Sequence, residues 1–329
     1  MRAIPSHAEA QFGVFTHEQA CEEGWNLSAL KRAAHRGDLC RLRRGVYALP
    51  LAEDQPDWRR RRTELIQRAA AATLVIPTGH ASHAAALAMH DLPLLELPSE
   101  PCLTLPPGFR IVERDVHLHR ICEPDWYRLG NVAVSRPARA CLELSKEQGL
   151  TAAVVAGDAA ARRGLLTPGS LRETYRSMRG RGGAPLAQQV IDLVDGRCES
   201  ALETVSRLAL PAALPKPELQ VTLTTMGGDF LGRVDFYWEE LGVVGEADGR
   251  LKYESGEELV DAQALWKEKQ RADQMGDFGG VVVRWGWLEA RQPHLLEQKL
   301  WRAFSRAQHL RAAGVPLLLV PRYAHTRAA

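Results

Sequence analysis

The chain of 329 residues and 36.4 kDa is too long for one ordinary domain and is expected to hold two or three. Apolar residues make up 45% and charged residues 25%, which excludes disorder for the bulk of it, and a formal net charge of +2 supplies no global field for nucleic acid. Any basic docking surface must be local. No run approaches the roughly 18 apolar residues of a membrane helix, and the first residues, MRAIPSHAEAQFG, lack a signal-peptide core. A cytoplasmic protein with no membrane partner is expected. The six cysteines form no CxxC pair, so neither a disulfide scaffold nor a structural zinc site is expected, and free buried thiols are the default.

Two composition shifts divide the chain. Residues 51–58, LAEDQPDW, are polar and carry Pro56; residues 178–186 are rich in Gly and Arg. The expected architecture is an α/β multidomain chain: an N-terminal winged helix-turn-helix at 1–52, an α/β middle domain at 56–192, and a C-terminal restriction-endonuclease-like α/β domain at 193–329.

The first helix is expected at HEQACEEG, with Thr16 as N-cap, Gln19 at the capping-box position and Gly24 as terminator. Trp25 and Asn26 form the turn. A second helix opens at Leu27 and Ser28, with Leu30, Ala33 and Ala34 as its apolar stripe. In LCRLRRGVYALP, alternation places Leu39, Arg41 and Arg43 on one strand face and Cys40 and Leu42 on the other. Gly45 makes the turn, and residues 46–49 return. Lys31, Arg32, Arg36, Arg41, Arg43 and Arg44 face a single acid, Asp38, within residues 31–44. A basic run alone suits a solvated helix face. A recognition helix followed by a basic wing suits the DNA major groove and its phosphates.

The middle segment is expected to start with the helix DWRRRRTELIQRAAAATLV, then ASHAAALAMHDL with Ser82 as cap. Strands follow at EPCLTLPP, RIVERDVHLHRI and NVAVS. Helices follow at SRPARACLELSKEQG, with Pro137 in the first turn, and beyond. His80, His83, His90, His117 and His119 are read as scaffold histidines, because no carboxylate or cysteine completes a metal set.

The C-terminal segment carries the candidate chemistry. A helix near 198–210 places Glu199 and Glu203 on one face. Strands follow at ELQVTLT, at FLGRVDFYW with Asp235, and at GVVGEAD with Glu246 and Asp248. Residues i and i+2 on a strand share a face, so Glu246 and Asp248 point together, with Asp235 across an antiparallel pair. Converging carboxylates suit Mg²⁺ or Mn²⁺ rather than zinc, and such a site serves phosphodiester cleavage. The alternative is a strand end running into the Gly249 turn. A long helix near 257–275, a buried strand FGGVVVRW, a last amphipathic helix and a final strand at VPLLLVP complete the segment.

At these residues the segment resembles the PD-(D/E)xK nuclease superfamily, in the branch similar to very-short-patch-repair endonucleases. The resemblance implies metal ligation by Asp235, Glu246 and Asp248, with Glu203 (or Glu199) as the helix acid. Asp248 stands where the usual lysine would be, and Lys252, Lys267 and Lys269 are the candidates for a migrated one, Lys252 first. The catalytic set so implied is Glu203, Asp235, Glu246, Asp248 and Lys252, with Mg²⁺ or Mn²⁺ as cofactor. GVFTHEQACEEG…LKRAAHRGDLCRLRRGVYALP, with GHASHAAALAMHDLP and VAVSRPARACLEL, resembles the AbiEi-type antitoxin family. That resemblance implies a transcriptional repressor of type IV toxin–antitoxin systems. Ser28, Lys31, Arg32, Arg36, Arg41, Arg43 and Arg44 would bind double-stranded DNA, and a cognate toxin would be a partner. Helix-turn-helix regulators usually meet palindromic operators, so a homodimer is expected.

Two readings of function stand side by side. One is a DNA-targeted, metal-dependent endonuclease in phage defence or a toxin–antitoxin setting. The other is a non-catalytic AbiEi-type repressor that autoregulates an operon. A small-molecule enzyme on the middle domain has no phosphate loop or nucleophile–base pair behind it.

Overall fold

The computed structural model describes residues 4–52, 54–76, 78–108, 115–121, 125–178, 184–249 and 262–323. The chain divides into two compact units, Met1–Gly196 and Arg197–Ala329. Among the described residues no helix is long and apolar enough to cross a membrane.

In the first unit a 3-10 helix, Ser6–Gln11, leads into β1 (Val14–Thr16). Thr16 ends that strand and caps α1 (His17–Glu22). Its Oγ1 accepts from the Gln19 amide at 3.2 Å, and Gln19 Oε1 accepts from the Thr16 amide at 2.9 Å, which makes the expected capping box. Asn26 caps α2 (Leu27–His35), its Oδ1 accepting from the Ala29 amide at 2.8 Å. β2 (Cys40–Arg43) and β3 (Val46–Ala48) form a hairpin, and β1 adds to it in the order β1-β3-β2. Phe15, Ala20, Leu30, Ala33, Leu39 and Tyr47 make the local core. The strict alternation expected along β2 is broken. Arg41 pairs with Tyr47 but Arg43 pairs with Val46, so a bulge separates the two arginines and Arg43 leaves the face of Arg41.

α3 (Asp57–Val75) buries Leu65 and Ala69 to Ala72 and touches both β1–β3 and the sheet that follows. That sheet contains β4 (His80–Ala81), β5 (Cys102–Leu105), β6 (His117–Arg120), β7 (Trp126–Leu129) and β8 (Val132–Ser135), in the order β6-β5-β4-β8-β7. β5 runs antiparallel to β4 and parallel to β6. β4 and β7 lack a sequence signal of their own, one having two residues and the other mixing charge with aromatics. α4 (His83–Met89) follows β4 and is wholly buried. α5 (Pro137–Arg162) is broken at Gly149, where φ is 83° and ψ 178°; α6 (Pro168–Met178) and α7 (Ala184–Leu193) close the unit.

The second unit opens with α8 (Ala201–Ala209), capped by Ser200. A sheet of β9 (Glu218–Thr224), β10 (Phe230–Trp238), β11 (Val243–Ala247), β12 (Val281–Trp285) and β13 (Val320–Arg322) has the order β12-β11-β10-β9-β13. Only β11 and β12 pair in parallel. α9 (Ala262–Asp277) precedes β12, and α10 (Trp287–Arg291) and α11 (Pro293–Ala312) follow it. Val221, Leu223, Val234, Tyr237, Val244 and Met275 form one core cluster. Trp285 is fully buried, tilts against Phe236 at 5.3 Å, and donates its Nε1 to Ser206 Oγ at 2.7 Å, fastening α8 to the sheet. Trp301, by contrast, is exposed. The final strand is shorter than VPLLLVP suggests, because Leu318 donates its amide to Phe278 before β13 begins.

Candidate functional site

Three polar constellations stand out. The first lies on α2 and the β2–β3 hairpin. Leu30 and Ala33 turn inward, which leaves Ser28, Lys31, Arg32 and Arg36 exposed on the other side of α2. Arg41 and Arg44 are also exposed. Arg36 is held by Asp38, Nη2 to Oδ2, at 2.6 Å. Arg43 differs from its neighbours: the bulge carries it inward, its side chain is only 9% exposed, and its Nη2 donates to Asp115 Oδ1 at 3.0 Å.

The second is acidic and lies in the second unit. Ser200 Oγ accepts from the Glu203 amide at 3.2 Å, and Glu203 Oε2 accepts from the Glu199 amide at 2.8 Å. This reciprocal cap turns the Glu203 carboxylate toward the sheet, while Glu199 pairs with Arg233. Gln220 on β9 donates its Nε2 to Glu203 Oε2 at 2.8 Å and to Asp235 Oδ1 at 3.1 Å. Gln220 has φ 54°, a left-handed conformation uncommon for a residue with a Cβ. Asp235 Oδ2 accepts from the Ala247 amide at 2.9 Å, which clips β10 to β11 beside Glu246.

Burial pushes the Asp235 carboxyl up to about 7, with Glu203 and Glu246 adding repulsion; the Ala247 amide and Gln220 oppose the shift. Glu246 is buried and accepts from two guanidinium groups, Arg271 Nη2 at 2.6 Å and Arg284 Nε at 3.3 Å. β11 ends at Ala247, so Asp248 lies past the strand and donates its amide to the Trp285 carbonyl at 2.9 Å. Lys252 lies outside the described residues, as does the side chain of Lys267; Lys269 is exposed on α9.

Three of the expected acids, Glu203, Asp235 and Glu246, thus belong to one network. Sequence reasoning missed three members, Gln220, Arg271 and Arg284. Gln220 was traceable by register, since Val221–Val234 and Leu219–Phe236 bracket it opposite Asp235. The donors are all oxygen, as Mg²⁺ requires. Yet in this arrangement Arg271 and Arg284 occupy Glu246, and Gln220 and the Ala247 amide occupy both oxygens of Asp235. The residues as arranged do not present a ready cation site.

The third lies in the first unit. Among the described residues, one group could hold a metal ion: His83, Cys102 and His119, with one ligand atom of each within 4.8 Å of the others. The scaffold reading of these histidines is corrected in one respect, because a cysteine does complete a donor set.

Two uncharacterized proteins of Mycobacterium tuberculosis, from strains CDC 1551 / Oshkosh and ATCC 25618 / H37Rv, are each 28% identical to this chain over 183 residues. Those residues are 55% of this chain, and the match spans 65% of the length of each relative. The crystal structure of the RV2827C protein of Mycobacterium tuberculosis aligns with a TM-score of 0.35 at 17% identity, over 66% of this chain and 85% of that one. Residues 2–50 match the family described as transcriptional regulator, AbiEi antitoxin. The N-terminal domain, which holds the capped α1–α2 pair and the basic hairpin, is of the AbiEi antitoxin and transcriptional-regulator type.

Proposed function

We propose that the chain is a DNA-binding transcriptional regulator of the AbiEi type. Its first 52 residues would act as a winged helix-turn-helix. α2 would enter the major groove with Ser28, Lys31 and Arg32, while Arg41 and Arg44 reach the flanking phosphates. The observation that carries this reading is the two-sidedness of α2 and its hairpin: Leu30, Ala33 and Tyr47 are buried, and five of the six basic residues between 31 and 44 are exposed. Arg43 is left out of the interface, because Asp115 already neutralises it within the unit. The test is binding to duplex DNA from the chain's own upstream region across a salt series. Each lost phosphate contact should lower the slope of log K against log salt by about 0.9. Binding without salt dependence would overturn the reading.

A second reading, phosphodiester cleavage by an endonuclease-like second unit (193–329), is favoured by the convergence of Glu203, Asp235 and Glu246. Its obstacle is the pairing of Glu246 with Arg271 and Arg284. Supercoiled plasmid incubated with Mn²⁺ or Mg²⁺, beside Glu246→Ala and EDTA controls, decides it. Nicking that requires both the metal and Glu246 would establish cleavage. A salt-sensitive shift without nicking leaves a regulator on a nuclease-like scaffold. A cognate toxin and a homodimer remain proposals of the same reading.

A further inference from the structure

We infer that the first unit binds one zinc ion through His83, Cys102 and His119. The inference is independent of the DNA-binding reading. The fold itself assembles the set. β4 pairs antiparallel with β5, Ala81 opposite Leu103, and the Ser82 amide donates to the Cys102 carbonyl at 3.0 Å. The chain therefore leaves β4 and enters α4 directly over Cys102, with His83 as the first helical residue. β6 lies beside β5 in parallel, Cys102 opposite His117 and Thr104 opposite His119. The rings of His83 and His119 stack at 4.0 Å.

Three observations point to a ligand rather than a plain buried cluster. Beside the set, Glu143 is 4% exposed; its Oε1 accepts from Arg139 Nε at 2.6 Å, while its Oε2 is buried, accepts no hydrogen bond and lies 3.7 Å from His83 Nδ1, the nitrogen that meets Ser82 Oγ at 3.0 Å. Buried carboxylate oxygens normally have partners. His119 Nε2 is likewise buried without a hydrogen bond. His83 holds φ at 50°, a left-handed conformation that is strained for a residue with a Cβ and that gathers at functional sites.

The chemistry agrees. One thiol and two imidazoles form a borderline-soft set that suits zinc over magnesium or calcium. The thiol of Cys102 already donates to Glu147 Oε1 at 3.2 Å, and Glu147 is exposed. On binding, the S–H bond breaks, the zinc–sulfur bond forms, and the proton passes through Glu147 to solvent.

The test uses the full chain, stripped with EDTA and titrated with Co²⁺ as the spectroscopic probe. One equivalent should bring up a thiolate-to-cobalt charge-transfer band with tetrahedral d–d bands, and Zn²⁺ should bleach both. Cys102→Ser should abolish the charge-transfer band. His119→Ala, at a half-buried position on a sheet-edge strand, should weaken Zn²⁺ binding by at least about tenfold, since even outer-shell partners of a metal carry that much. Cys21→Ser, exposed on α1, should keep the full band. Far-ultraviolet circular dichroism shows which variants are folded. A full chain without the charge-transfer band, or folded Cys102→Ser and His119→Ala proteins that bind as the parent does, would overturn the assignment.

Discussion

Arg271 on α9 donates its Nη2 to Glu246 Oε1 on β11 at 2.6 Å, so a guanidinium from the helix faces the buried strand acid. Glu246 also takes Arg284, from the neighbouring parallel strand. A carboxylate 8% exposed needs such partners, because an unpaired buried charge is strongly destabilising.

Arg271→Ala should therefore destabilise the second unit. The guanidinium is a third exposed, so the loss is below that of a fully buried pair, on the order of 1–3 kcal/mol. Urea unfolding should show a lower midpoint with an unchanged slope. Arg271→Lys should recover part of it. Equal stability of the alanine variant and the parent would mean that Arg284 alone satisfies Glu246.

Asp235 should make stability fall as pH rises. Its folded carboxyl titrates at about 7 against an ordinary 3.8, so between those values the folded state holds a proton that the unfolded state has lost. Unfolding free energy then declines from about pH 4 to about pH 7 and levels off above. Asp235→Asn removes the titration and the repulsion by Glu203 and Glu246. It should be the more stable protein at pH 8, by roughly 1–3 kcal/mol after allowing for partial exposure, with the gap narrowing towards pH 4. Denaturant midpoints at pH 5 and pH 8 check this; a gap independent of pH would show that the carboxyl titrates normally.

Local signals were the legible ones. Thr16, Gln19 and Gly24 fix α1 through hydrogen bonds that span three residues. Strands with clear alternation, such as β9 and β10, also lie where the pattern puts them. Features that need distant partners were hidden. Arg43 reads as one more wing arginine until a bulge and an aspartate 72 positions away remove it from the surface. Gln220 carries no local signal, and only the β9–β10 register sets it between two acids. His83, Cys102 and His119 come from three elements, and the pairing of β4, β5 and β6 that unites them leaves no spacing motif.

Gly245→Ala should be costly although Gly245 sits in an ordinary strand. A Cβ there would stand 2.6 Å from the six-membered ring of Trp285 and 3.0 Å from the Phe236 Cβ. Trp285 cannot retreat without giving up its hydrogen bond to Ser206. Overpacking of this kind costs about 1–3 kcal/mol. The thermal midpoint of the second unit should drop. Tryptophan fluorescence should shift to the red as Trp285 is displaced, and an unshifted spectrum would show that the strand, not the ring, gives way.

The arginines of the hairpin should separate into two kinds. Arg41→Ala with Arg44→Ala removes exposed charges and should leave unfolding within about 0.5 kcal/mol of the parent, as surface changes usually do. It should lower the salt slope of DNA binding by up to about two contacts' worth, near 0.9 each. Arg43→Ala should do the reverse, because its side chain is 9% exposed and committed to Asp115, itself about half exposed. It should destabilise the first unit by about 1 kcal/mol, the ordinary worth of a hydrogen-bonded pair of this exposure, and leave the salt slope as it was. Thr16→Ala supplies the comparison: loss of the α1 cap should cost about 0.5–2 kcal/mol without touching the charge of the DNA face. If Arg43→Ala instead lowered the salt slope as far as Arg41→Ala does, the bulge would not be what divides them, and Arg43 would return to the DNA interface.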